Sequence, residues 1–190
     1  MSLLVAGLVI FLGMHSIMIF APGFRDSVRA RLGPGAWRGV YSIVSLAGLV
    51  LIIKGFALAS LAPIVLYTPP AWARYAAVVL MLPVFPLLFA ASLPGRIRTA
   101  IRHPMITAVK IWCLAHLLAN GLLADVLLFG SFLAWAVADR LSLRRRPPQD
   151  RRTRPVRPWN DAAAVIGGLA VYALLISWAH QRLFGVAPLG

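Results

Sequence analysis

The sequence predicts an all-α membrane protein, a bundle of about six transmembrane helices with both termini on the non-cytoplasmic side. Three observations point there. Of 190 residues, 61% are hydrophobic, and the mean hydropathy is +0.84. Soluble domains run near roughly 45–50% apolar. Charged residues make up 13% of the chain and gather between apolar runs of ~20 residues, the length that crosses a hydrocarbon core as a helix. Finally, the arginines alternate from one connecting segment to the next.

The first run extends from about Ser2 to Ala21 and ends at Pro22-Gly23. It lacks the basic start of a signal peptide and is longer than a signal core, so it reads as a retained helix. The second begins after Trp37-Arg38-Gly39 and ends near Pro63, with Lys54 inside it. The third spans about Tyr75 to Leu93, between Pro69-Pro70 and Pro94-Gly95. Pro83 and Pro86 predict a kink there, whose freed carbonyls neighbouring helices must satisfy. The fourth starts at Pro104, a favourable first-turn residue, and reaches Asn120-Gly121. The fifth follows from Leu122 to Asp139, close enough to form an antiparallel hairpin with the fourth. Residues 140–159 are basic and proline-rich and read as a partly disordered cytoplasmic loop. Asn160-Asp161 should cap the sixth helix, which runs to about His180 and carries Ala163/Gly167 and Ala164/Gly168 as small packing faces. The whole chain, 1–190, reads as one transmembrane domain.

The arginines test this count. Arg25, Arg29, Arg31 and Arg38 lie between the first two runs. Arg96, Arg98 and Arg102 lie between the third and fourth. Arg140, Arg144, Arg145, Arg146, Arg151, Arg152, Arg154 and Arg157 lie between the fifth and sixth. The alternate segments hold only Arg74 and Arg182. Six spans with the arginine-rich loops in the cytoplasm satisfy the positive-inside rule. The net charge of +14, from 19 Lys and Arg against five Asp and no Glu, is therefore topogenic. Its partner is the lipid bilayer rather than nucleic acid. The location expected is a plasma membrane such as the bacterial inner membrane, crossed several times.

Ionisable groups inside a membrane are costly and mark candidate sites. Here they are His15, Lys54, Lys110 and His116, with His103, Asp125 and His180 at the margins. At 1.5 Å per residue His15 and His116 each fall roughly 18–20 Å from their own helix start, near mid-depth. Two neutral imidazoles there suit the axial positions of a haem iron, or each hydrogen-bonds a neighbouring helix. His103, Thr107 and Lys110 form one polar stripe of the fourth helix, and Trp112, His116 and Asn120 a second. Lys54 reaches the outer headgroups by its long stem. The one cysteine, Cys113, excludes an internal disulfide and a CxxCH haem attachment and reads as helix packing.

Several of these segments resemble the NnrU family: Arg102-His103-Pro104-Met105, Trp112, Ala115 through Gly121, and Leu127 through Gly130. Gly13-Met14-His15-Ser16 with Phe20-Ala21-Pro22-Gly23, and Tyr41 through Gly48, resemble its first two helices. The resemblance covers essentially the whole chain. Where the family pattern has Asp directly after Asn-Gly, this chain has Leu122, with Asp125 three residues on. The family is linked to expression of nitrite and nitric oxide reductases in denitrification. It is also similar to the 15-cis-zeta-carotene isomerase of carotenoid biosynthesis, a membrane protein with a non-covalent haem b held by histidines. The resemblance implies His15 and His116 as bis-histidine ligands of the haem iron, with His103 as an accessory catalytic residue. Trp112 would wall the haem, as Phe11 could. Arg102 and Lys110 would face its propionates, and Asn120 would complete the cofactor-binding stripe. The activity implied is cis–trans isomerisation of a carotenoid-like polyene with redox-dependent histidine ligation. The alternative is a haem-based sensor or an assembly factor for the denitrification enzymes. Arg-His-Pro also resembles membrane methyltransferases that use S-adenosylmethionine, but their paired glutamates have no counterpart here. The physiological substrate, enzyme against non-enzyme, and the oligomeric state stay open at this level.

Overall fold

The computed structural model describes residues 1–145 and 156–189. The described residues are helical, with no strand among them: α1 (Ser2–Phe20), α2 (Pro22–Ser60), α3 (Ala71–Met81), α4 (Val84–Ser92), α5 (Arg96–Ile101), α6 (Pro104–Ala119), α7 (Leu123–Arg145) and α8 (Trp159–Leu174). From α8 the chain continues through a π-helical turn, Leu175–Ala179, into α9 (His180–Phe184). Among the described residues, five stretches are long and apolar enough to cross a membrane: Ser2–Phe20, Pro22–Ser60, Ala71–Ser92, Leu123–Arg145 and Trp159–Phe184. The sixth expected span, α6, has 16 residues. At 1.5 Å each it reaches about 24 Å, short of a ~30 Å core. Large apolar side chains such as Phe20, Ile43 and Ile166 lie fully on the outside, as a lipid-facing surface requires.

The helices group into two compact units. Of the described residues, the first comprises 1–67 and 121–145, the second 68–120 and 156–189.

In the first unit α1 packs along α2 and also meets α7. Glycines allow the close approach. A methyl group on Gly48 would lie 2.8 Å from the Phe11 nitrogen, and one on Gly7 2.6 Å from the Ile52 nitrogen. Leu4, Leu8, Ile52, Ala59 and Ala124 form the core between them. The segment expected as the first loop is largely helical. α2 starts at Pro22, with the proline at its first turn, and runs through Arg25, Arg29 and Arg31. It bends at Gly33, whose φ of +81° favours glycine, and resumes at Pro34. Beyond α2, residues 64–67 lie along the start of α7. The N–H groups of Leu66 and Tyr67 donate to the Gly121 carbonyl (2.9 and 3.2 Å), and Leu123 N–H donates to Ile64 (2.8 Å).

The second unit shows how the proline break is accommodated. α3 ends at Met81 and α4 begins after Pro83. The Leu82 N–H bonds back three residues to Val79, which leaves the Val78 carbonyl without its helical donor. Tyr172 on α8 donates its hydroxyl to that carbonyl at 2.9 Å. The small face of α8 also behaves as expected. Gly168 lies directly on the backbone of Pro86, and Gly167 on the ring of Phe89. Val84, Leu87 and Ala108 form the core, with Trp112, Ile97 and Ile101 against it.

Two expectations are corrected here. Asn160-Asp161 does not cap its own helix: α8 has no side-chain cap. Instead Asp161 accepts the backbone N–H groups of Arg96 (2.8 Å) and Ile97 (3.0 Å), and so caps α5 from a distance. Asn160, 4% exposed, donates to the Pro94 carbonyl at 2.9 Å. The basic loop starts later than expected, because α7 continues to Arg145. Arg144 and Arg145 then occupy its last turn, where cations complement the helix dipole. Residues 146–155 of that loop lie outside the described residues.

Candidate functional site

His15 sits on α1 within an aromatic enclosure of the first unit. Its ring stacks on Phe11, centroids 4.2 Å apart and planes at 25°. Tyr41 on α2 lies at 5.3 Å. Trp135 on α7 meets it edge-on at 6.0 Å. Nδ1 lies 2.7 Å from the Phe11 carbonyl, one turn back. A carbonyl only accepts, so Nδ1 carries the proton, and the lone pair resides on Nε2. Beside the ring opens a cavity of about 630 Å³, bounded also by Arg25, Arg29, Arg38, Trp37 and Tyr41.

His116 occupies α6 in the second unit in the same manner. Its Nδ1 lies 2.9 Å from the Trp112 carbonyl, so Nε2 is again the nitrogen with the lone pair. The Trp112 ring stands 5.5 Å away. Asn120 donates its side-chain amide to the His116 carbonyl at 3.0 Å, closing the end of α6. Both histidines thus use an i−4 carbonyl to hold ring and tautomer. That is the arrangement found in metal-ligating histidines, whose second nitrogen is held by a carbonyl, carboxylate or water. His180 has its Nδ1 2.7 Å from the Val186 carbonyl and is near enough to act electrostatically on His116.

His103 is the residue before α6, and its carbonyl accepts from Thr107 (3.1 Å). Arg102 beside it has φ +59°, the one non-glycine residue with positive φ among those described. Strain of this kind gathers at functional sites, and it falls on the Arg-His-Pro motif. Lys110 lies partly buried on α6. Lys54 is exposed on α2, as a lipid-facing snorkelling lysine would be. Cys113 is fully buried, in keeping with helix packing. Asp125 is 6% exposed and accepts the Leu122 N–H at 3.3 Å, so it caps the first turn of α7.

A family model described as NnrU protein matches residues 3–188. The chain belongs to the NnrU family. Comparison with curated proteins and with solved structures gives no match.

Among the described residues, no three His, Cys, Asp or Glu side chains gather closely enough to hold a bare metal ion. A haem needs fewer protein donors, because the porphyrin supplies four nitrogens and the protein only axial ligands. In both His15 and His116 the Nδ1 is engaged by a backbone carbonyl. Near His15 an unmet donor remains: Trp135 Nε1 is buried without a hydrogen-bond partner among the described residues. A buried orphan N–H costs about 1–3 kcal/mol.

Sequence reasoning named Phe11 as a wall and the structure stacks it on His15. It named Trp112 too, which flanks His116 and packs into the core of the second unit. It passed over Tyr41 and Trp135 as neighbours of His15. It also read Arg25, Arg29 and Arg38 only as markers of topology, whereas they bound the cavity. Their spacing offered a signal: Arg25 and Arg29, four apart on a helix, share one face.

Proposed function

We propose that this NnrU-family protein is an integral membrane protein holding a non-covalent b-type haem, with His15 and His116 as its axial ligands. One observation supports the reading above others: each imidazole has its Nδ1 fixed on the carbonyl one turn back, at 2.7 and 2.9 Å. That fixes the tautomer in which Nε2 can bind iron. Both lie in apolar helices. Arg102 and Lys110 are the cations proposed for the propionates, with Asn120 ending the helix that carries His116. The activity proposed is isomerisation of a long polyene that enters from the lipid, with His103 accessory. A bound reduced haem would supply electron density or Lewis acidity that lowers the order of a double bond, which requires that one of the two histidines leave the iron. The protein's own part is to position the ligands, exclude water and offer apolar walls.

Absorption spectra of the purified protein and three variants test the ligand assignment. His15→Ala and His116→Ala should abolish or strongly shift the Soret band, and His180→Ala should leave it nearly unchanged. A wild-type spectrum retained in both of the first two variants would remove the assignment. Incubating the reduced protein with a poly-cis carotene, followed by chromatographic separation of isomers, tests the activity. Haem-loaded protein without turnover in either redox state would favour the sensor or assembly role.

A further inference from the structure

Three arginines of the first unit take no part in its core. Arg25 and Arg29 lie on the first segment of α2, and Arg38 lies just past the bend at Gly33-Pro34. The bend requires the left-handed backbone of Gly33 and turns the two segments of α2 so that all three side chains line one cavity. Among the described residues, no carboxylate lines it. Asp26 offsets part of this charge by pairing with Arg25 at 2.9 Å. Arg38 commits only its Nε, to the Pro34 carbonyl at 3.1 Å. The opposite side comes from α1 and is apolar: Met14, Ile17 and Met18. The cavity therefore has a strongly cationic rim and an apolar side with His15 beside it.

Guanidinium groups bind carboxylates and phosphates through paired N–H donors. Three of them around one space, without a carboxylate in the lining, select an oxyanion. The apolar side of α1 selects a hydrocarbon or a flat ring system. We propose that this cavity binds an oxyanion-headed amphiphile. Arg25, Arg29 and Arg38 hold its head, and Met14, Ile17 and Met18 receive its apolar body. Two sources supply that chemistry: an anionic phospholipid of the bilayer, or a haem, whose two propionates would then lie here instead of at Arg102 and Lys110. The proposal does not depend on the haem reading, because the lipid alone would satisfy it.

The test uses the full chain in a mild detergent, as wild type and as Arg29→Gln/Arg38→Gln. Both arginines are exposed, and matching far-UV circular dichroism checks the fold. Should the double variant misfold, the single Arg29→Gln replaces it. One arm titrates short-chain phosphatidylglycerol against the matching phosphatidylcholine, read by tryptophan fluorescence. The other titrates haemin against haemin dimethyl ester, which lacks free carboxylates, read at the Soret band. Loss of two charge-assisted contacts should weaken the correct ligand about a hundredfold. Weakening confined to phosphatidylglycerol identifies a lipid. Weakening of haemin but not of its ester identifies the propionates. Affinities for both acids that are unchanged in a folded variant, or a wild type that binds neither, overturn the proposal. Haemin that fails to bind the wild type removes the haem reading alone and leaves the lipid arm to decide this one.

Discussion

Replacing Asp161 with Ala tests the least expected feature of the second unit, a helix capped by a residue 65 positions away. Asp161 holds two backbone donors of α5, the exposed N–H of Arg96 at 2.8 Å and the half-buried N–H of Ile97 at 3.0 Å. Water can replace the carboxylate at the exposed donor, so that bond contributes little. The bond to Ile97 is charge-assisted and partly shielded, and the pair together should be worth about 2 kcal/mol. For a chain of this size each kcal/mol moves the melting temperature by about 2–4 °C, so Asp161→Ala should lower it by about 4–8 °C in detergent. Asp161→Asn keeps one acceptor oxygen and should lose about half as much. Gly95 supplies an internal control, because a Cβ there would collide with the Asp161 carboxylate. Gly95→Ala should therefore destabilise the wild type clearly more than it destabilises Asp161→Ala, a coupling that a double-mutant cycle measures. An Ala variant as stable as wild type, or strictly additive effects, would refute the capping role.

Other outcomes follow from the same contacts. Tyr172→Phe removes the donor that serves the Val78 carbonyl. It should cost about 1 kcal/mol by thermal unfolding, within the range of hydrogen bonds between membrane helices. Gly168→Val places side-chain atoms against the backbone of Pro86; it should cost about 1–3 kcal/mol or more, whereas the same change at Gly130, which faces open space, should cost far less. Gly33→Ala forces a Cβ into the left-handed region. It should cost about 1–3 kcal/mol and weaken ligand binding in the arginine-lined cavity, as measured by the titrations above.

Much of the fold was legible because lipid is a demanding solvent. Runs of ~20 apolar residues have few structural alternatives, which is why the N-terminal, α3–α4, α7 and α8 spans stood out. Pro83 marked its own break for a local steric reason. The losses came where the deciding partner is distant in sequence or the local signal is shared. Asn160-Asp161 ahead of an apolar run carries the pattern of a local cap, and nothing nearby shows that Asp161 serves Arg96 and Ile97. The helix from Pro22 to Leu32 was hidden because Pro-Gly and dense arginine also describe a loop. The division of α6 and α7 between two units left no trace in the short Asn120-Gly121 turn that joins them. At the candidate site, His15 and His116 were readable because an imidazole in an apolar run is rare. The aromatic ring around His15 was only partly so, since Tyr41 and Trp135 arrive from other helices. The arginines that bound the cavity were taken as topogenic signals, a role that any loop arginine satisfies.

The central claim is that haem b belongs to this protein, and its stoichiometry is the most direct measurement. The full chain is expressed with an ample haem supply and purified in mild detergent, and haem is quantified by pyridine haemochrome after acid-acetone extraction. The expected result is one extractable b-type haem per chain in the wild type, with the amount falling sharply in the His15→Ala/His116→Ala double variant. A folded wild-type protein that carries no haem, or one whose haem content is indifferent to both histidines, would contradict the claim.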